Sequence, residues 1–121
     1  MSEQNRTGDF GESVVVEYLM KRGYTILARK FRCRAGELDI VARSPEDILC
    51  FVEVKTRRCD SLIAAREAVT PAKQHRLHIA AQWYLMKYAD LDTLCRFDVA
   101  EVYVGRNRIP EIIYIPQAFE S

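Results

Sequence analysis

A chain of 121 residues can be narrowed first by what it goes without. No apolar run approaches the ~20 residues that a membrane-spanning helix needs, and residues 1–7 are polar with no apolar signal core. A cytoplasmic protein with no membrane contact is the expectation. Excess charge is missing too. With 18 basic against 17 acidic residues the net charge is +1, so no global field advertises a polyanionic partner. The four cysteines, Cys33, Cys50, Cys59 and Cys95, form no C-x-x-C pair, which argues against a structural zinc and fits a reducing compartment. Cys50 alternates with Ile48, Val52 and Val54 and reads as core packing. The one tryptophan, Trp83, falls in a helical stretch and reads as packing rather than base stacking. There is no internal repeat and no low-complexity segment.

What is present is a 49% apolar chain long enough for one domain with one core. Residues 1–8 read as a disordered lead-in, 9–116 as the domain and 117–121 as a tail. Thr7 or Asp9 can cap a first helix that runs to about Arg22, where Gly23 stops it. Glu12 shares the apolar stripe of that helix with Val15, Val16 and Leu19. It is either a first-turn acid favoured by the helix dipole or an acid aimed at a site. Residues 24–34, 36–42 and 48–55 read as strands, the last two separated by the turn Ser44-Pro45-Glu46-Asp47. Residues 61–69 form a short helix or ordered loop. Thr70-Pro71 opens a helix to about Ala89, with Leu77, Ala81, Tyr84, Leu85 and Tyr88 as its buried stripe. Residues 96–104 make another strand, in which Asp98 reads as a structural partner for Arg96 or a backbone group, and a turn at 105–110 leads to a last strand at 112–115. The class is α/β: a central mixed sheet of about five strands with the first helix on one face and the long helix packed against it.

The chemistry concentrates in the second and third strands. Side chains alternate faces along a strand, so Glu37, Asp39 and Val41 share one face, and Leu49, Phe51, Glu53 and Lys55 share another. If the two strands form a hairpin, Asp39, Glu53 and Lys55 meet in one patch. Two carboxylates about 4 Å apart repel by roughly 4 kcal/mol at an effective dielectric near 20. A hard divalent cation offsets that cost, and a lysine beside it suits a reaction in which charge builds on a phosphate. Glu-x-Lys by itself is weak, since it turns up by chance about 0.4 times in a chain of this length. Its place in an apolar strand, with an acidic strand just before it, raises its weight.

Gly-Glu-Leu-Asp at 36–39, a turn, then Phe-Val-Glu-Val-Lys at 51–55 resembles the core of the PD-(D/E)XK nucleases. Residues Gly8-Asp9-Phe10-Gly11-Glu12, Gly23-Tyr24, Arg57, Lys73 and Arg96-Phe97-Asp98-Val99 extend the likeness to the bacterial YraN family, which is similar to Holliday-junction resolvases. The likeness covers roughly residues 8 to 104. It implies a restriction-endonuclease-like fold and metal-dependent endonuclease activity on DNA, with branched or junction DNA as a candidate substrate. In that scheme Asp39, Glu53 and the Val54 carbonyl hold Mg²⁺ or Mn²⁺. Lys55 orients or activates the attacking water, Glu12 completes the acidic cluster and Glu37 stands just outside it. A two-fold dimer is the assembly that resolvases suggest.

Basic residues gather beside this motif. Residues 21–34 hold Lys21, Arg22, Arg29, Lys30, Arg32 and Arg34 with no acid, and Lys55, Arg57 and Arg58 form a second cluster. The long helix opens with Lys73, His75, Arg76 and His78. Arg29, Lys30, Arg32, Arg34, Arg57, Arg58, Lys73 and Arg76 are the expected nucleic-acid contacts, weighed against an ordinary solvated face. His75 and His78 have helical i, i+3 spacing but no partner acid nearby. Two further classes stay open: a non-catalytic module that binds nucleic acid or a partner protein, and a purely structural interaction protein.

Overall fold

Two apolar segments joined by a polar turn set the frame. β2 (Gly36–Arg43) and β3 (Leu49–Arg58) pair antiparallel, with Ile40 opposite Val52 and Val41 opposite Phe51. The turn between them closes because Ser44 N–H donates to the Ile48 carbonyl at 2.9 Å while Ile48 N–H donates to Ser44 Oγ at 3.0 Å. Asp47 takes a left-handed φ of 68°, a conformation aspartate tolerates better than most residues. This computed structural model describes residues 3–58, 69–90, 92–105 and 109–119. The helix or loop expected at 61–69, all but its last residue, lies outside that set, as do Cys59 and residues 106–108 of the expected turn.

β1 (Thr25–Cys33) pairs antiparallel with the free edge of β2, and β4 (Cys95–Val104) runs parallel to β3. β5 (Glu111–Phe119) closes the order β1-β2-β3-β4-β5 by pairing antiparallel with β4. A parallel neighbour requires a crossover, and α2 (Pro71–Tyr88) lies within it. α1 (Glu3–Lys21) covers the opposite face. Val15 and Leu19 of α1 pack on Ile40, Val52, Ala100 and Val102, whereas Leu77, Tyr84 and Leu85 of α2 pack on Leu38, Phe51 and Phe97. Among the described residues the result is the expected α/β architecture, a five-stranded mixed sheet between two helices. No helix among the described residues is long and apolar enough to cross a membrane.

Several boundaries differ from the sequence reading. α1 begins at Glu3, inside the stretch read as a disordered lead-in and ahead of Thr7 and Asp9. β5 reaches Phe119, into the stretch read as a tail, because its ladder with β4 continues to Phe97 opposite Phe119. Gly23 does end α1, with φ of 86° and its N–H donating to Met20 while Tyr24 N–H donates to Leu19. Thr70 Oγ1 accepts from Lys73 N–H at 3.2 Å and Pro71 occupies the first turn, as the sequence indicated. Trp83 and Tyr88 do not belong to the buried stripe. Both are more than half exposed, and Ala80 takes the inward position instead.

Strict alternation also fails between residues 28 and 31 of β1. Ala28 and Phe31 of β1, and their partners Val41 and Leu38 of β2, all face α2, although each pair is three residues apart. Lys30 absorbs the slip with a left-handed φ of 54°. Asp39, opposite it, therefore does not simply share a face with Glu37 and Val41.

Candidate active site

β2 and β3 stay together only as far as Ile40 and Val52. Beyond that point β3 is paired with β4, with Glu53 opposite Val99 and Lys55 opposite Glu101. β2 is paired there with β1, with Leu38 opposite Phe31 and Glu37 opposite Arg32. The strands fork, and the fork holds the motif. Asp39 Oδ2 accepts from Val54 N–H at 2.8 Å, a cross-strand contact made by a side chain where the backbone ladder has ended. Asp39 and Glu53 line one small cavity with Leu77 and Phe97, and the Glu53 carboxylate acts on Asp39 through space. Asp39 also lines an open cleft of about 360 Å³ beside α1, together with Glu12, Lys30, Arg32 and Glu37.

The electrostatics of the fork follow from burial. Desolvation, and then the neighbouring Glu53 carboxylate, push the Asp39 carboxyl up to about 7. Glu12 adds to the rise, while the Val54 N–H and the Lys73 ammonium oppose it. Glu53 is only 5% exposed, and two ammonium groups reach its Oε1: Lys73 Nζ at 2.7 Å and Lys55 Nζ at 3.1 Å. Burial and the adjacent Lys73 hold the Lys55 amine below its ordinary range, against the pull of Glu53. Burial works against charge on Lys73 as well, but its hydrogen bond to Glu53 helps carry the balance upward.

Glu12 reaches the same region from α1. A Cβ added at Gly11 would lie 1.9 Å from Thr56 Oγ1, so glycine at that position lets α1 settle directly on β3. Glu12 is consequently buried on the cleft side, where Arg29 Nε approaches at 3.1 Å and Lys30 Nζ at 3.4 Å. Lys30 Nζ also holds Asp9 at 2.6 Å, and Arg29 donates to Ser13 Oγ at 3.2 Å. Arg32 pairs with Glu37 at 3.5 Å on the surface. With Lys21, which pairs with Glu17 at 3.1 Å, four residues of the basic run thus contact acids of this chain. Arg34 is exposed in the β1–β2 turn, Arg58 and Arg76 are exposed, and Arg57 donates to the Thr56 carbonyl at 3.2 Å. Lys73 differs from the rest because it turns inward to the acids.

Two features escaped the sequence reading. Glu101 is 1% exposed on the Lys55 side of the sheet, where Tyr103 OH donates to it at 2.8 Å. The alternation Phe97, Val99, Glu101 was the available signal. Asp98 is a structural hub, as expected of it, but a larger one: Arg96 Nε donates to both its oxygens at 3.0 and 3.2 Å, and Tyr114 OH and the Gln117 N–H donate as well. His78 packs its ring on Phe97 and Phe119, with centroids 4.5 and 5.9 Å away, while His75 is exposed.

Among the described residues, no three His, Cys, Asp or Glu side chains stand together as a ready metal cluster. The donor set nonetheless suits Mg²⁺ or Mn²⁺. Mg²⁺ is usually held by one or two carboxylates and keeps several waters, so Asp39, Glu53 and the Val54 carbonyl suffice in kind. The raised Asp39 carboxyl marks a buried acid short of positive charge, which is the deficit a divalent cation fills.

A family model described as "Uncharacterised protein family UPF0102" matches residues 11–102. A UPF0102 protein of Geobacter metallireducens is 46% identical over 121 residues, covering 99% of this chain and 98% of the relative. Those of Roseiflexus castenholzii and Geotalea uraniireducens are 45% and 42% identical, each over 98% of this chain and over 96% and 93% of the relative. The matched span runs from the α1–β3 contact at Gly11, through the fork, to the far end of β4. This chain belongs to the UPF0102 family, the YraN-like group its motif resembles.

Proposed function

We propose that this protein is a metal-dependent endonuclease that hydrolyses phosphodiester bonds in DNA. One observation carries the reading: two carboxylates, Asp39 and Glu53, lie at a strand fork with two lysines on a single oxygen of Glu53. Asp39, Glu53 and the Val54 carbonyl are the groups to hold Mg²⁺ or Mn²⁺. When bound, such a cation supplies positive charge to the phosphate and lowers the pKa of the attacking water. Lys55, whose ammonium is held against Glu53, orients that water and steadies the negative charge that forms on the phosphate. Glu12, steadied by Arg29 and Lys30, shapes the acidic side of the cleft, with Glu37 at its rim. Arg34, Arg57, Arg58 and Arg76 hold the phosphate backbone around it.

Branched or junction DNA is the substrate shape that the nuclease likeness suggests, acted on in the cytoplasm by a two-fold dimer. The test is cleavage of labelled branched and linear DNA by the purified protein with Mg²⁺ or Mn²⁺. Glu53→Gln and Lys55→Met should each lower the rate by about a hundredfold or more. Undiminished cleavage by both variants refutes the assignment.

A second reading has one observation in its favour. Glu53 already has two ammonium partners, so its burial needs no cation. A non-catalytic module of this kind binds DNA in a salt-dependent way without turnover, and changing Lys55 leaves that binding intact.

A further inference from the structure

Lys55 and Lys73 reach the same oxygen by different routes. Lys55 stands two residues from Glu53 on the same strand, and its side chain is 12% exposed. Lys73 crosses from the first turn of α2, is 33% exposed, and has its backbone tied to the Thr70 cap. That first turn carries no acidic residue, so the ammonium sits at the positive end of a helix dipole and looks across to Glu53 for compensation. Phosphate is the other group that such a helix end attracts.

A divalent cation and two ammonium groups cannot all contact Oε1 of Glu53. Like charges repel at that distance, and the oxygen has too few lone pairs to serve all three. When the cation takes Oε1 itself, one ammonium has to leave, and the more exposed side chain from the separate element is the one with somewhere to go.

We propose that Lys73 is a displaceable counter-ion of the site: it neutralises Glu53 in the cation-free protein, yields Oε1 to a divalent cation, and then binds a phosphate of the nucleic acid. This rests on the endonuclease reading and extends it. It makes cation and phosphate binding cooperative, because the anion removes the competitor of the metal, and each must tighten the other equally. Lys55 keeps its place beside Glu53 throughout.

The experiment is calorimetric titration of Mn²⁺ into the full-length wild-type protein and into Lys73→Met and Lys73→Gln, without nucleic acid. Removing the competitor should tighten Mn²⁺ binding about tenfold, within the usual range for coupled sites. The rise in melting temperature caused by Mn²⁺ should be larger in both variants than in the wild type. The wild type gives an independent readout that needs no variant to fold: Mg²⁺ titration followed by NMR of the lysine ammonium groups should shift the Lys73 signal more than that of Lys55. Unchanged or weaker Mn²⁺ binding in a cooperatively melting variant overturns the proposal and leaves the endonuclease reading standing. So does a Lys73 signal that stays fixed through Mg²⁺ saturation. Failure of every form, wild type included, to bind either cation overturns both.

Discussion

At the scale of single residues, the fork makes Asp39 responsive to pH. Its carboxyl titrates near 7 in the folded protein, against ~3.9 in an unfolded chain. Because the folded form binds this proton more tightly, the stabilisation is complete below the unfolded value and disappears as pH rises through 7. Melting temperatures of the cation-free protein should therefore fall between about pH 4 and pH 7 and level off above, and Asp39→Asn should flatten that fall. Mg²⁺ affinity should run the other way, rising through pH 7 as the carboxylate ionises. Asp39, Glu53 and Lys55 were legible as neighbours because the hairpin brings their strands together, but the fork that holds them was not. The partners of Glu12 were not. Arg29 and Lys30 lie 17 and 18 residues from it and looked like part of a solvated basic run. Lys73 was legible as a cation at a helix start, but its inward turn onto Glu53 depends on how α2 lies across the sheet.

At the scale of elements, the placement of α1 on β3 rests on a missing side chain. Alanine is the better helix former by roughly 0.5–1 kcal/mol, so Gly11→Ala would stabilise an isolated helix. Here its Cβ meets Thr56 Oγ1 at 1.9 Å, and Thr56 Oγ1 is itself buried without a hydrogen-bond partner among the described residues. Gly11→Ala should cost about 1–3 kcal/mol in denaturant melts, and adding Thr56→Ala should recover part of it. At the start of α2, Thr70→Ala should cost about 1 kcal/mol through loss of its bond to Lys73 N–H. The hairpin of β2 and β3 and the Thr70-Pro71 start could be read directly, because turn and cap chemistry are local. The slip at Lys30 could not, since a lysine with φ of 54° carries no sequence signal of its own.

For the molecule as a whole, Asp98 joins elements that are distant in the chain. It draws in Arg96 from β4 and both Tyr114 and the Gln117 N–H from β5, and Arg96 in turn donates to Tyr24 OH at 2.9 Å just before β1. Asp98→Ala leaves Arg96 largely buried without its counter-charge and should cost about 3 kcal/mol, a fall of roughly 10 °C in melting temperature. Mn²⁺ affinity should hold in the folded fraction, because the partners of Asp98 are Arg96, Tyr114 and the Gln117 N–H rather than Asp39 or Glu53. Class and layering were readable from alternating segments and one long helix, whereas the strand order was not. The extent of α1 and β5 was not readable, because Glu3 and Phe119 gain their structure from continuing a helix and a ladder begun elsewhere. A crystal soaked in Mn²⁺ tests the fork itself. One anomalous peak should appear, bonded to carboxylate oxygens of both Asp39 and Glu53 at about 2.1 Å, with Lys73 withdrawn from Oε1. A fork free of Mn²⁺ at millimolar concentration, with both lysines still on Glu53, would contradict a metal site there.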